Sequence, residues 1–116
     1  VNKPDIQTAV PARRYAIGDF TATLLGEIQS RDPVQYHYIL ALIPDRSAEP
    51  ILYVTAEALP PDLGGPGVVA RVIAETGERV LGPNPRWRDA DAFVDDALEM
   101  VRKVLGLAGE EARRLL

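Results

Sequence analysis

The chain's one histidine, His37, stands between Tyr36 and Tyr38, and any acid–base chemistry would start from it. Histidine titrates near neutral pH, and a carboxylate beside it tunes it toward general-base work. The strand pairing argued below sets His37 opposite Glu57, which would supply that carboxylate. No serine nucleophile with a supporting motif accompanies the pair, and the chain holds no cysteine. A zinc site or a Ser–His triad then has no spare ligand or base to draw on. No catalytic residue, metal ligand or cofactor is expected.

Tyrosines offer a second chemistry. All four, Tyr15, Tyr36, Tyr38 and Tyr53, fall on expected strands. With His37, Thr55 and Glu57, the pair Tyr36 and Tyr38 has the mix of apolar wall and polar groups that a small-ligand pocket needs. The irregular stretch Leu59 to Gly67 would be its lid. Aromatic residues on strands serve ordinary packing equally well.

The remaining motifs read as structural. Gly64-Gly65-Pro66-Gly67 has the glycines of a phosphate cradle, but a strand follows it where a helix N-terminus and a lysine are needed. Asp89, Asp91, Asp95, Asp96 and Glu99 share one helix and read as a solvated face, because a divalent cation needs oxygen ligands converging from several elements. Trp87, between Arg86 and Arg88, is placed to staple the entry of that helix onto the sheet.

Composition bounds the rest. With 116 residues, of which 47% are hydrophobic, the chain suits one domain with a real core. The 13 basic residues against 17 acidic ones leave a net charge of −4. The basic residues come as isolated pairs near carboxylates rather than as a clustered positive field, so nucleic acid is not an expected partner. No apolar run approaches the ~18 residues that cross a bilayer, and no membrane is expected. Val1 to Arg14 lacks the apolar stretch of a secretory signal, and a cytoplasmic location is expected.

The elements follow from periodicity. Residues 1–13, with two prolines and no period, read as a flexible or extended lead-in to a single α+β domain over residues 14–116. Tyr15 to Ile28 alternates as a strand, with a bulge or bend at Gly18-Asp19. Further strands are expected over Val34 to Ile43, Ile51 to Glu57, Val68 to Glu75 and Arg79 to Leu81. A helix starts at Asp89 or Asp91, carries an apolar stripe from Phe93 to Leu105 and stops at Gly106. Gly109 to Leu116 has the composition for a further turn or two. The fold class is α+β: a five-stranded antiparallel meander sheet with a C-terminal helix packed on one face.

Pairing Ile28 with Val34 and Ile43 with Ile51 puts residues of like parity on one face. Phe20, Ala22, Leu24, Ile28, Val34, Tyr36, Tyr38, Leu40, Leu42, Leu52, Val54 and Ala56 then form an apolar face for the helix. The opposite face carries Leu25, Ile39, Ile43, Ile51 and Tyr53, apolar side chains that one helix cannot also cover. Solvating such a patch is unfavourable, and symmetric twofold pairing is the commonest way to cover one. These five residues are the candidate interface of a homodimer, and the chain reads as a non-enzymatic protein-interaction module. A different protein partner would use the same apolar surface. The alternative is a small-ligand-binding domain built on the tyrosine pocket.

Overall fold

The computed structural model describes residues 3–59 and 67–115. A single antiparallel sheet is built from β1 (Ile6–Ile17), β2 (Phe20–Ser30), β3 (Tyr36–Pro44), β4 (Leu52–Ala58), β5 (Val68–Ala74), β6 (Gly77–Leu81) and β7 (Arg113–Arg114). A 3-10 turn at Pro85–Arg88 leads into α1 (Ala90–Leu105). The strand order is β6-β5-β4-β3-β2-β1-β7. The sheet is therefore a meander closed at one end by the returning C-terminus.

The α+β class and the C-terminal helix are as expected, but the described sheet has seven strands rather than five. Both extra strands come from the ends of the chain. Gly18-Asp19 is not a bend within one strand but a complete two-residue reversal, with Ile17 opposite Phe20. Gly18 sits at φ +54, a conformation glycine reaches without steric cost. Residues 6–13, read as lead-in, are thus the outer part of a paired strand. Pro11 fits there because the ladder is dislocated between Pro11 and Arg13, and because β7 reaches β1 only at Tyr15 and Ala16. The segment expected to add helical turns instead pairs Arg113 and Arg114 with β1, and Leu115 N–H donates to the Arg14 carbonyl at 2.7 Å.

Helix α1 follows its sequence signals. The Asp89 carboxylate accepts from the Ala92 N–H at 2.9 Å, and Gly106 ends the helix in the left-handed region at φ +66. The apolar stripe Phe93, Val94, Ala97, Leu98 and Val101 is buried against Ala22, Leu24, Leu40, Leu42, Leu52 and Val54. Phe93 stacks on Tyr38 with ring centroids 5.8 Å apart. Trp87 is buried in the same core and donates from Nε1 to Asp96 at 2.8 Å, which fixes the helix entry.

The opposite face has no helix, yet much of it is dry. Ile39, Ala41, Thr55, Glu57 and Ile73 are all buried, and none belongs to the cluster under α1. The geometry of the β1–β2 hairpin points to it as part of the cover. β2 leaves β3 after Leu25, while its own ladder with β1 runs on to Ser30 through three register shifts. Such bulges bend and twist a ribbon. Glu27 lies at φ +46 within this departing stretch. Lys3, just before β1, ends beside Ile51, Tyr53, Ile73 and Glu75 of the far strands. The outer half of the hairpin therefore curls over the second face.

Ile39→Ala tests this closure. Ile39 is 0% exposed within its own protomer, so its truncation is expected to cost about 2–4 kcal/mol, measured by urea unfolding. That cost is expected at every protein concentration. A loss that vanished on dilution would place the cover in another chain.

Candidate functional site

The register gathers the five candidate interface residues on one face. Leu25 pairs with Ile39 on one rung, Tyr53 lies opposite Ala41 on the next, and Ile43 follows on a third, where Ile51 donates its N–H to the Leu42 carbonyl at 2.9 Å. The pairing of β2 with β3 differs from the expected one by two residues, Leu24 facing Leu40 rather than Tyr38. An even shift leaves the side chains of the regular ladder on their expected faces. Tyr36, expected on the helix face, is the exception, paired with Glu57 on the second face beyond the dislocation in β3. The five differ in exposure. Ile39 is sealed, Leu25, Ile43 and Tyr53 are half-buried, and Ile51 is 43% exposed. Beside Ile51 and Tyr53, the side chains of Lys3, Glu49, Ile73 and Glu75 bound a shallow hollow of about 450 Å³. Burial, and then the charge of Glu49, raise the Tyr53 phenol above its ordinary pKa, so it enters this hollow as a neutral hydrogen-bonding group.

The proposed tyrosine pocket is not assembled as one site. Between Tyr36 and Tyr38 the β3–β4 ladder is dislocated, and Glu57 faces Tyr36 instead of His37. A one-residue bulge is not visible in alternation, and it breaks the parity argument locally. Tyr36 donates its hydroxyl to Asp32 at 2.7 Å, and its phenol is held protonated first by burial and then by that carboxylate. Tyr38 is spent on the Phe93 stack. Most of the expected lid, residues 60–66, lies outside the described residues.

Glu57 is committed elsewhere. It is 2% exposed, accepts from the Thr55 hydroxyl at 2.6 Å and from Arg71 Nη2 at 2.9 Å. Arg71 reaches on to Glu78 at 3.6 Å. This network joins β4, β5 and β6 across the face opposite α1. The sequence reading missed Arg71, although its position amid Val69, Val72 and Ile73 marks a lone cation in an apolar strand that calls for a buried carboxylate.

His37 is without such a carboxylate. Its Nε2 is buried without a protein hydrogen-bond partner. Burial, and then the charge of Arg88, lower its pKa below the ordinary 6.5. A general base raised toward neutrality by Glu57 is therefore not what the geometry supplies. Among the described residues no three His, Cys, Asp or Glu side chains cluster as a metal site, and no helix is long and apolar enough to cross a membrane. The chain matches no protein-family model, and neither a curated protein nor a solved structure shows significant similarity to it.

Two outcomes follow. Glu57→Ala leaves the buried Thr55 hydroxyl without its acceptor and Arg71 with Glu78 as its remaining ion pair, and is expected to cost about 2–3 kcal/mol, below a fully buried pair because Arg71 is 28% exposed. Denaturant unfolding measures it, and Glu57→Gln should recover part of the loss. For His37 the unfolded chain protonates near pH 6.5 while the folded chain resists until lower pH. Its contribution is complete above that value and is lost as pH falls toward the depressed folded pKa. The difference in stability between the parent and His37→Gln should thus change with pH below 6.5 and be flat above it.

Proposed function

We propose that this domain is a non-enzymatic protein-interaction module that homodimerises through the uncovered part of its second sheet face. The observation that carries the reading is Ile51, a large aliphatic side chain left 43% exposed beside half-buried Ile43 and Tyr53 on a face that α1 does not reach. Leu25 extends the same surface across the neighbouring strands. Ile39 lies beneath it and stiffens it without making contact itself. Removing this apolar area from water favours association, and a twofold axis satisfies identical patches at once.

The alternative, a small-ligand-binding domain, moves from the dispersed tyrosines to the hollow beside Lys3, Glu49, Ile51 and Tyr53. Its apolar floor and charged rim favour a small amphipathic ligand.

Sedimentation velocity over a micromolar to submillimolar series separates these readings. A concentration-dependent dimer is expected, and Ile51→Glu should return it to monomer with unchanged far-ultraviolet circular dichroism. A monomer throughout the series removes the homodimer. Protection of Tyr53 from solvent by a small solute, without any change in sedimentation, would favour the alternative.

A further inference from the structure

A different surface lies at the other end of the sheet. β6 pairs with β5 through Ala70–Leu81 and Ala74–Gly77, and among the described residues no strand lies outside it. An edge strand of this kind presents unpaired N–H and C=O groups to anything that can lie beside it. The register sends Leu81 and Arg79 to the helix side, opposite Ala70 and Val72. There they bound an apolar groove against α1, floored by Val72, Leu81 and Met100, with Val104 52% exposed at its lip.

The charges on the rim are not balanced. Asp96 is occupied by Trp87 and Arg86, and Glu99 by Arg102. The side chains of Arg79 and Lys103 have no hydrogen bond or ion pair among the described residues. The groove thus offers apolar floor, an open backbone edge and two cations free to act. We propose that this edge accepts an extended acidic peptide by strand addition, its apolar side chains alternating into the groove and its carboxylates meeting Arg79 and Lys103.

The same features argue against a second copy here. Antiparallel self-pairing centred on Arg79 sets that cation against its twin, and like charges directly opposite are destabilising. An acidic strand turns the same residues from a barrier into a selector. Alternating side chains would meet the groove at every second residue, as strand addition requires.

The test uses a blocked synthetic peptide of alternating glutamate and valine, about one strand in length, titrated into the isotopically labelled chain and followed by NMR. Amide shifts and slowed hydrogen exchange are expected at Glu78, Arg79 and Val80, with shifts at Met100 and Val104. The lysine–valine counterpart should bind at least about tenfold more weakly, and Arg79→Glu with Lys103→Glu should reverse that preference. A peptide with alternate backbone amides N-methylated should lose binding while keeping its side chains, which tests the edge without altering the protein. Equal binding of both peptides, shifts confined to the second face, or indifference to N-methylation would each overturn the proposal. So would concentration-dependent shifts at β6 without peptide, which would assign the edge to a second copy. Dimerisation through Ile51 is read separately by sedimentation and stands or falls on its own.

Discussion

A sheet has two faces, and the described residues supply one α-helix. That imbalance governs the rest of the architecture. α1 buries the face built on Ala22, Leu24, Leu40, Leu42, Leu52 and Val54. Burying apolar area is the main force holding a domain of this size together, so the second face cannot simply be left wet. The chain solves part of the problem with its own first hairpin. β1 and β2 are the longest strands, at 12 and 11 residues, and their ladder carries three irregularities where it leaves the sheet. A straight hairpin of that length would project into solvent. A bent one lets Lys3, just before β1, end beside Ile73.

The closure is incomplete, and its two ends differ in chemistry. At one end Asp32, Tyr36, Glu57 and Arg71 satisfy each other in polar contacts. A buried carboxylate alone would be strongly unfavourable, so Glu57 stays only because Thr55 and Arg71 both meet it. This fixes the register of β4 against β5, since a one-residue slip would carry Glu57 to the helix face and leave it among aliphatic side chains. At the other end Ile43, Ile51 and Tyr53 meet solvent, with no comparable polar network among the described residues. A surface that is neither sealed nor satisfied is where association gains most.

Parity carried the face assignments through the sheet even where the pairing was displaced, because a shift of two residues keeps each side chain on its side. Leu40, Leu42, Val54 and Ala56 were legible for that reason, and so were Leu25 and Ile43. What alternation could not reveal was irregularity. The dislocation between Tyr36 and Tyr38 adds one residue to β3, and with it the imagined contact of His37 with Glu57 disappears. The reversal at Gly18-Asp19 was announced by a glycine–aspartate pair between alternating segments, but the prolines at Pro4 and Pro11 disguised the strand before it. β7 is two residues long and exists only through its pairing with β1, so no local pattern in Arg113 and Arg114 encodes it.

The seventh strand also explains why the two edges of the sheet are not equivalent. Beside β1, Arg113 and Arg114 cap the backbone at Tyr15 and Ala16, and Arg13 pairs with Asp91 of α1 at 2.6 Å. Helix and edge are tied together there. Beside β6, among the described residues, no ion pair joins the strand to α1, and Val72, Leu81 and Met100 lie in the gap between them. Charged residues at an edge ordinarily deter aggregation, and Glu78 and Arg79 occupy β6 in that manner. Yet Glu78 is drawn away toward Arg71 on the second face, leaving Arg79 as the uncompensated charge over the groove. An edge guarded by one sign of charge disfavours pairing with its own copy and favours its opposite, so the same residue that discourages self-association would also discriminate among strands laid beside it.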